Sequence, residues 1–349
     1  MKDPAVLTEV PAICADDIIR GVFEGYYDGF RKTMALKTAM EMSLFGRTRH
    51  PVTASEVAET AGWDEVMTGL FLDCLASMGL LDRDGDCYRN SIVAETLLDP
   101  SSPRCQSINL EYGMKRLMRW SDLQSAVRDG PKVLPVAEVF GEEWICAIGE
   151  SATGGAIAKV LAEIEAVVGL PHEGTFLDLG GGHGLYTVAF CSRYPGLRGF
   201  VFDKPEMIHV AEENLADYGC NARTIPGDFY TDDIGGPYDV VFSSFNHSVS
   251  DVSLCKKVRD AVVPGGLLIM RRHVYNGEPD PTRLLEWNIA IREGIGKGCQ
   301  RFNGSWLPSS SEYVGCMEAL GMEMLYRKMV DGGSELVIMR RGVPRDTNI

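Results

Sequence analysis

A glycine-rich segment contains the residues best suited to bind a ligand. Residues 176–184 have the sequence FLDLGGGHG and lie between a predicted strand and a predicted helix. The glycines, which let the backbone turn tightly and approach a ligand without an intervening Cβ, are Gly180, Gly181, Gly182 and Gly184. A dinucleotide-binding fingerprint would need a further glycine at Leu185, and the segment has no basic side chain suited to a pyrophosphate. It contains the acid Asp178 instead, which suits a ligand with an ammonium group.

Two further acids follow the next two predicted strands. Asp203 comes 25 residues after Asp178, where a carboxylate can accept hydrogen bonds from both hydroxyls of a ribose. Asp228, in the segment PGDFY, is placed to contact an adenine. These three elements together predict a site for S-adenosyl-L-methionine, with S-adenosyl-L-homocysteine as the product. Further cofactor contacts are expected from Lys204, Phe229 and Ser243.

The elements that position these residues alternate between strands and helices. Short apolar strands are predicted over residues 176–179, 199–203, 223–226, 238–242 and 267–270, with helices over 185–193 and 206–218. This alternation favours a Rossmann-like α/β domain with a doubly wound parallel sheet. Residues 322–326 and 335–338 flank the sequence DGG and predict an antiparallel hairpin at the sheet.

The first hundred residues have the pattern of a winged helix. The predicted elements are a helix over 34–45, a helix from the capping box of Thr53 and Glu56 to Gly62, a helix from Asp64 to Gly79, and a hairpin of 80–82 with 87–89. Amphipathic helices are predicted over 116–127 and 156–168, with a hinge between them.

Charge disfavours DNA as the partner of the winged helix. Its would-be recognition helix, residues 64–78, has no Lys or Arg, and the whole chain has a formal charge of −15. DNA binding needs cations against the phosphates, so a transcriptional regulator is disfavoured and no nucleic-acid partner is expected. The aromatic-rich residues 16–30 instead predict contact with a second subunit.

Length and cysteine spacing indicate a soluble cytoplasmic protein of two domains. The chain has 349 residues, with ten scattered cysteines and no Cys-x-x-Cys. Neither a signal-peptide pattern nor an apolar run of membrane-spanning length is apparent, so no membrane partner is expected. The histidines are scattered, and no metal site is predicted.

Motifs along nearly the whole chain resemble the dimeric small-molecule O-methyltransferases of the caffeate and acetylserotonin type. They are TMALKTAMEMSLFG, TASEVAETAG, LLDRDGDCYRNS, DLGGGHG, FDKPEMI, GDFY and VVPGGLLIM. The resemblance implies an N-terminal all-helical winged-helix dimerisation domain (1–110), connecting helices (111–170) and an α/β Rossmann-like methyltransferase domain (171–349). It further implies a homodimer that methylates a hydroxyl of a small aromatic or polycyclic acceptor.

The resemblance also implies a catalytic base. The family takes the acceptor's proton with a histidine after the fourth strand of the methyltransferase domain, where this chain has His247. The family's usual His-Asp-Trp is His-Ser-Val here, and neither of its two flanking glutamates is evident. Arg271 and Arg272 stand at one glutamate position, and the sequence GSWLP at the other.

These departures leave alternatives open. They resemble the bacteriochlorophyll-pathway branch of the fold, which methylates carbon on a tetrapyrrole, and in that case Asn246 or Tyr275 would matter more than His247. Sulfur methylation, and a protein that binds S-adenosylmethionine without transferring methyl, are further alternatives.

The acceptor pocket is predicted between the two domains and the loop at 287–313. Its candidate lining residues are Met114, Met118, Trp287, Phe302 and Trp306. Arg271 and Arg272 either hold an acidic acceptor or form a cation pair that faces solvent at the end of a strand.

Overall fold

The computed structural model describes residues 18–139, 141–274, 280–293, 310–331 and 333–343. The chain divides into two compact units, Met1–Ser107 and Ile108–Ile349. The finer division that sets apart connecting helices at 111–170 stays a prediction.

The N-terminal unit consists mainly of helices. They are α1 (Glu24–Glu41), which continues a single wider turn at Ile19–Phe23, α2 (Leu44–Arg47), α3 (Ala54–Ala61), α4 (Glu65–Ser77) and α5 (Ile92–Leu97). The prediction of a single helix over 34–45 is wrong. Ser43 has a φ of 51°, a left-handed conformation that ends α1 before α2 begins. The helix-forming residues on both sides conceal this turn in the sequence.

Local capping fixes the ends of the next two helices. The Thr53 hydroxyl accepts a hydrogen bond from the backbone of Glu56, whose carboxylate accepts one from the Thr53 amide, so the predicted capping box is confirmed. Asp64 accepts from the Met67 amide at 2.8 Å and begins α4 as predicted.

A small three-stranded sheet accompanies these helices. Its strands are β1 (Val52–Thr53), β2 (Leu81–Asp84) and β3 (Cys87–Asn90), in the order β1-β3-β2. The predicted hairpin is therefore present, with Gly85 at a φ of 58° in its turn. This sheet is the one departure of the described part of the domain from an all-helical composition.

One face of α1 and its preceding turn is apolar and exposed to solvent. The exposed side chains are Ile18, Ile19, Val22, Phe23, Tyr26, Tyr27 and Phe30. On α4, Val66, Met67 and Leu70 are likewise exposed. Contiguous apolar surface of this kind is typical of a protein–protein interface.

The C-terminal unit is built on a seven-stranded sheet. Its strands, in spatial order, are β11 (Met322–Asp331), β12 (Ser334–Arg341), β9 (Val262–His273), β8 (Tyr238–Ser244), β5 (Glu173–Leu179), β6 (Gly196–Asp203) and β7 (Arg223–Pro226). The five strands from β9 to β7 are parallel, whereas β12 is antiparallel to both β9 and β11. Both the parallel sheet and the antiparallel hairpin predicted from the sequence are confirmed.

Helices pack on both faces of this sheet and extend before it. They are α6 (Ser107–Met118), α7 (Leu123–Asp129), α8 (Val136–Val139), α9 (Glu142–Ser151), α10 (Ile157–Val167), α11 (Leu185–Arg193), α12 (Ile208–Asp217), α13 (Cys255–Asp260), α14 (Pro281–Ile289) and α15 (Ser310–Ala319). The helix predicted over 116–127 is wrong, because a tighter turn at Arg119–Asp122 separates α6 from α7. Within the predicted hinge, β4 (Lys132–Leu134) pairs in parallel with β10 (Ala290–Arg292).

Alternate residues of the central strands enter two separate cores. Leu177, Val241 and Leu268 lie in the core on one face of the sheet. Phe176 and Phe242 lie in the core on the other face. This period-two burial holds the central strands in register, so the loops after them are presented at one edge.

One helical stretch, Glu142–Val167, is long and apolar enough to cross a membrane by length and composition alone. Its residues Val160 and Ile164 are buried in the core against the sheet. Buried core helices can have the same length and apolar composition.

A buried ion pair joins β9 to β12. Arg272 Nη2 lies 2.9 Å from Glu335 Oε1, and each side chain is 4% exposed. Arg272 Nη1 also donates to the Val249 carbonyl at 2.8 Å. The suggested solvent-facing position of Arg272 is therefore wrong, and its suggested contact with the acceptor is not retained because its charge is engaged inside the protein.

We expect Glu335→Gln to lower the free energy of unfolding by about 3 kcal/mol, because Arg272 would keep a buried charge without its charged partner. Urea denaturation of the full chain measures this. In the control Glu163→Gln, the lost partner is Lys328, which is 58% exposed, and we expect a loss below about 1 kcal/mol. A Glu335→Gln protein as stable as the control would contradict a structural role for the buried pair.

Candidate active site

The loops that follow β5, β6, β7 and β8 meet at one edge of the sheet. They contain residues 180–184 (the glycine loop), 203–204, 227–232 and 245–251. The four strands are parallel neighbours, so their carboxyl ends lie side by side, which is the usual position of a ligand site in an open α/β sheet.

The glycine loop has no room for side chains at two of its positions. A Cβ on Gly181 would lie 2.7 Å from Asp178 Cγ, and a Cβ on Gly180 would lie 2.4 Å from Asn246 Nδ2. Gly180 and Gly182 also have φ values of 70° and 50°, which residues with a side chain rarely adopt. The predicted need for glycine here therefore has both a steric and a conformational cause.

Asp178 lies directly beneath the glycine loop. It is 1% exposed, and the Thr187 hydroxyl donates to its Oδ2 at 3.2 Å. Burial raises the pKa of the Asp178 carboxyl to about 7, although the hydrogen bond from Thr187 opposes the shift. A cationic ligand beside it would restore the charged form.

Asp203 is held by the backbone at the end of β6. Its Oδ2 accepts from the Gly182 amide at 2.8 Å and its Oδ1 from the Lys204 amide at 2.7 Å. Burial raises the pKa of Asp203, against these two hydrogen bonds. Each carboxylate oxygen has further acceptor capacity, so the group can also accept from ligand hydroxyls.

The loop after β7 is tied to its neighbours on two sides. The Gly227 amide donates to the Asp203 carbonyl at 2.9 Å, and Lys257 Nζ of α13 donates to the Phe229 carbonyl at 2.8 Å. Asp228 Oδ1 accepts from the Tyr230 amide at 2.8 Å. Lys204 is exposed, with its Nζ 3.7 Å from Asp228 Oδ2, and the side chain of Phe229 packs partly against the core.

Asn246 clamps the loop after β8 to the glycine loop. Its Nδ2 donates to the Leu179 carbonyl at 2.7 Å and to Ser243 Oγ at 2.9 Å. Its Oδ1 accepts from the amide and the hydroxyl of Ser248 at 2.9 and 2.6 Å. The sequence suggested Asn246 only as an alternative to His247, whereas the structure gives it this positioning role.

Ser243 does not present its side chain to a ligand. It is completely buried, and its hydroxyl is shared between Asn246 and Ser248. The side chain of Ser243 is therefore engaged within the protein, and its expected cofactor contact stays a prediction.

His247 begins a short helical turn, His247–Val249, directly after Asn246. It is exposed, and Tyr230 Oη lies 3.2 Å from its Nδ1. The same Oη lies 3.2 Å from Asp251 Oδ2. The sequence analysis missed Tyr230 and Asp251. Tyr230 precedes His247 by 17 residues and Asp251 by 21, and nothing in the sequence pattern indicates that its side chain meets theirs.

A second histidine of the site is buried and neutral. His183, inside the glycine loop, is 7% exposed, and its Nδ1 accepts from the Leu185 amide at 3.1 Å. Burial lowers the pKa of His183 to about 4. An imidazole held in this way orders the loop and is not available to a substrate.

Arg271 is also buried beside the site. Its Nη1 donates to the Tyr186 hydroxyl at 2.9 Å, and its guanidinium lies 4.4 Å from the ring centroid of Phe245. Phe245 has a φ of 55°, a strained value for this residue, and the turn that it makes directs Asn246 back toward the glycine loop. The suggested solvent-facing position of Arg271 is wrong.

Three of the predicted acceptor residues lie in the described part of the C-terminal unit. Met114 is buried on α6, Met118 is half-buried, and Trp287 is 37% exposed on α14. The guanidinium of Arg116 lies 4.6 Å from the Trp287 ring centroid. Phe302, Trp306 and Tyr275 lie outside the described residues.

An apolar cleft of about 220 Å³ separates α7 from α14. Its lining residues are Leu123, Ala126, Val127, Pro131, Leu285, Asn288 and Ile289. None of them belongs to the four loops of the site. Within the described ranges, no cluster of three His, Cys, Asp or Glu side chains could hold a metal ion.

Comparison with known proteins identifies both units. Residues 25–100 match the O-methyltransferase dimerisation domain, and residues 120–297 match the O-methyltransferase domain. Acetylserotonin O-methyltransferase of Rattus norvegicus is 28% identical over 341 residues, which span 90% of this chain and 75% of the rat protein. The N,N-dimethyltransferase OxyT of Streptomyces rimosus is 27% identical over 323 residues, spanning 86% of this chain and 90% of OxyT.

The fold has a counterpart among solved structures. The crystal structure of human N-acetylserotonin methyltransferase in complex with SAM matches with a TM-score of 0.69 and 21% identity, covering 96% of this chain and 100% of that chain. The O-methyltransferase domain match alone covers just over half of the sequence. The chain therefore belongs to the O-methyltransferase family and is an S-adenosylmethionine-dependent methyltransferase.

Proposed function

We propose that this enzyme methylates a hydroxyl of a small aromatic or polycyclic acceptor, with His247 as the general base. The observation that carries the proposal is the position of His247 at the carboxyl end of β8, next to Asn246, which contacts the glycine loop directly. A base in this position is adjacent to the cofactor loops and open to a second ligand.

The residues of the site fit S-adenosylmethionine. The glycine loop brings bare backbone to the strand ends, since a Cβ at Gly180 or Gly181 would collide with Asn246 or Asp178. In this proposal the Asp203 carboxylate accepts from the ribose hydroxyls, and Asp178 and Asp228 face the ammonium group and the adenine. Lys204 and Phe229 complete the walls. When bound, S-adenosylmethionine supplies an electrophilic methyl group on its sulfonium sulfur.

His247 has the chemistry needed of the base. Imidazole has an ordinary pKa near neutrality, so it can take the proton of an acceptor hydroxyl as the oxygen becomes nucleophilic. The loops hold the two reactants in a fixed relation, and such positioning contributes to the rate independently of the base.

Nitrogen is the second candidate for the methylated atom, favoured by the similarity to the N,N-dimethyltransferase OxyT. Carbon and sulfur acceptors use the same cofactor site. A panel of phenols, amines, thiols and carbon acceptors, scored by release of S-adenosylhomocysteine, distinguishes these cases. Absence of release with every class would favour a protein that binds the cofactor without transferring methyl.

The exposed apolar face of the dimerisation domain supports a homodimer. Its aromatic and aliphatic side chains on α1 and α4 would be covered by a second copy. We also propose a cytoplasmic location, in keeping with the thiols of the described cysteines, which are all free.

We expect Asp203→Asn to weaken S-adenosylhomocysteine binding by about 1.5–3 kcal/mol, because a charged acceptor of the ribose hydroxyls is lost. Titration calorimetry measures the change. Asp217→Asn, at the exposed end of α12, is the control and should bind as the wild type does. Wild-type affinity in Asp203→Asn would refute the ribose assignment.

Cofactor affinity should rise with pH between about 6 and 7.5. The raised pKa of Asp178, about 7 in the ligand-free protein, means that pairing with the ligand's ammonium group releases a proton. Because the pKa of Asp178 is higher in the folded protein than in the unfolded chain, the folded protein binds more protons between about pH 4 and 7. The contribution of Asp178 to folding stability therefore declines as pH rises through this range. Calorimetry in two buffers of different ionisation enthalpy would detect the released proton. Asp178→Asn should abolish this proton release, and proton release that persisted in the variant would contradict the assignment.

His247→Gln should keep its affinity for S-adenosylhomocysteine and lose turnover by about 10²–10⁴-fold, as expected when a general base is removed. Steady-state rates with the best acceptor of the panel give the test. His209→Gln is the matched control, since His209 is 44% exposed on α12 and pairs with Glu142. Turnover equal to that of the control would show that positioning alone carries the reaction.

A further inference from the structure

Three side chains from two loops form one chain of hydrogen bonds at the site. Tyr230 Oη, from the loop after β7, lies 3.2 Å from both His247 Nδ1 and Asp251 Oδ2 of the loop after β8. The Tyr230 amide holds Asp228, but the side chains of Tyr230 and Asp251 have no part in the cofactor site or in the base assignment described above.

The protonation states of Asp251 and Tyr230 determine which group donates in each of these hydrogen bonds. Although partial burial opposes it, hydrogen bonds from Ser253 hold the pKa of Asp251 below its ordinary value, so its carboxylate only accepts. Burial, reinforced by the charge of Asp251, raises the pKa of Tyr230 to about 12, so the phenol keeps its single proton. Tyr230 therefore donates to Asp251, and its oxygen is left to accept from the N–H of an imidazole.

We propose that Tyr230 and Asp251 are positioning residues that fix the tautomer of His247. With Tyr230 Oη as acceptor, the proton of the neutral imidazole is on Nδ1, and Nε2 carries the lone pair that takes a proton from the acceptor. Part of this inference rests on the proposed function, namely the role of His247 as base; the hydrogen-bond chain itself does not.

The surrounding contacts hold both partners in place. Asp251 Oδ1 accepts from the amide and hydroxyl of Ser253 at 2.9 and 2.7 Å, which leaves Oδ2 for Tyr230. Lys257 Nζ donates to the carbonyls of Phe229 and Asp232 at 2.8 and 2.9 Å and so anchors the backbone on both sides of Tyr230. The Tyr230 hydroxyl is thus aimed by the backbone of its loop.

The arrangement also favours the protonated imidazole. As His247 takes a proton, the negative charge of Asp251 lies one hydrogen-bonded group away, and the Asp228 carboxylate adds to the negative field at Tyr230. A carboxylate that orients a catalytic histidine and stabilises its imidazolium performs the same task in other enzymes by direct contact. Here the strand-end position where the family usually has a glutamate is occupied by Arg271 and Arg272, and His247 is oriented by Tyr230 of the loop after β7 and Asp251 of its own loop.

Nitrogen NMR of the full chain tests the tautomer without any acceptor. The six histidines are labelled with ¹⁵N, S-adenosylhomocysteine is added, and His247→Gln identifies the His247 signals at pH 8. We expect the Nδ1–H tautomer in the wild type and a mixture of both tautomers in Tyr230→Phe. Wild-type protein with its proton on Nε2, or a Tyr230→Phe protein with the wild-type tautomer, would overturn the proposal.

Asp251→Asn provides a sharper variant. The asparagine oxygen can still cap Ser253, so its NH₂ group takes the place of Oδ2 and donates to Tyr230. Tyr230 then donates to His247 Nδ1, and the imidazole proton moves to Nε2, which reverses the tautomer. Retention of the Nδ1–H form in a folded Asp251→Asn protein would contradict the inferred chain.

Kinetics with the most active phenol of the panel separate positioning from folding. We expect Tyr230→Phe to lower kcat by about 10–100-fold, with KM and S-adenosylhomocysteine affinity within threefold of wild type, and to add nothing to His247→Gln. Tyr218→Phe, at a tyrosine 61% exposed after α12, is the control. If His247→Gln retains turnover, the base assignment fails, but the NMR result still decides the hydrogen-bond chain.

Discussion

The close approach of Asn246 to Gly180 joins the loop after β8 to the glycine loop. The amide nitrogen of Asn246 occupies the space that any side chain at position 180 would need, and it reaches the carbonyl at the end of β5. The same side chain organises Ser243 and Ser248, from which the chain continues to Asp251. The loop with the proposed base is thereby fixed directly to the loop for the cofactor.

Acidic side chains characterise the part of the site formed at the ends of β5, β6 and β7. Asp178, Asp203 and Asp228 all stand at the ends of parallel strands, and burial raises the pKa of the first two. Three acids brought together in this way suit a ligand that is positive near one acid and rich in hydroxyl and amine donors near the others. S-adenosylmethionine has all of these groups, whereas a nucleotide phosphate would be repelled.

Much of this architecture could be predicted from the sequence because local signals specify it. The strand–helix alternation, the Thr53 capping box and the glycines before α11 each depend on residues close in the chain. The helix break at Ser43 could not be predicted, since strong helix formers surround it. The partner of Arg272 could not be predicted either, because Glu335 lies 63 residues away and is placed by the register of β12 on β9. The hydrogen bonds of Tyr230 to His247 and Asp251 could not be predicted for a similar reason, because the geometry of two separate loops brings these groups together.

The strand order imposes a sequence of events during synthesis. β12 lies between β9 and β11, although it follows both in the chain. While the polypeptide emerges from the ribosome, β5 to β9 can pair with one another, and the loops of the cofactor site can assemble on them. The edge of β9 that pairs with β12 stays unpaired until residues 334–341 have been made. Until then Arg272 also lacks its partner Glu335. Meanwhile, the unpaired backbone groups of β9 can pair with strands of other chains, so this edge is a site at which the incomplete protein can aggregate.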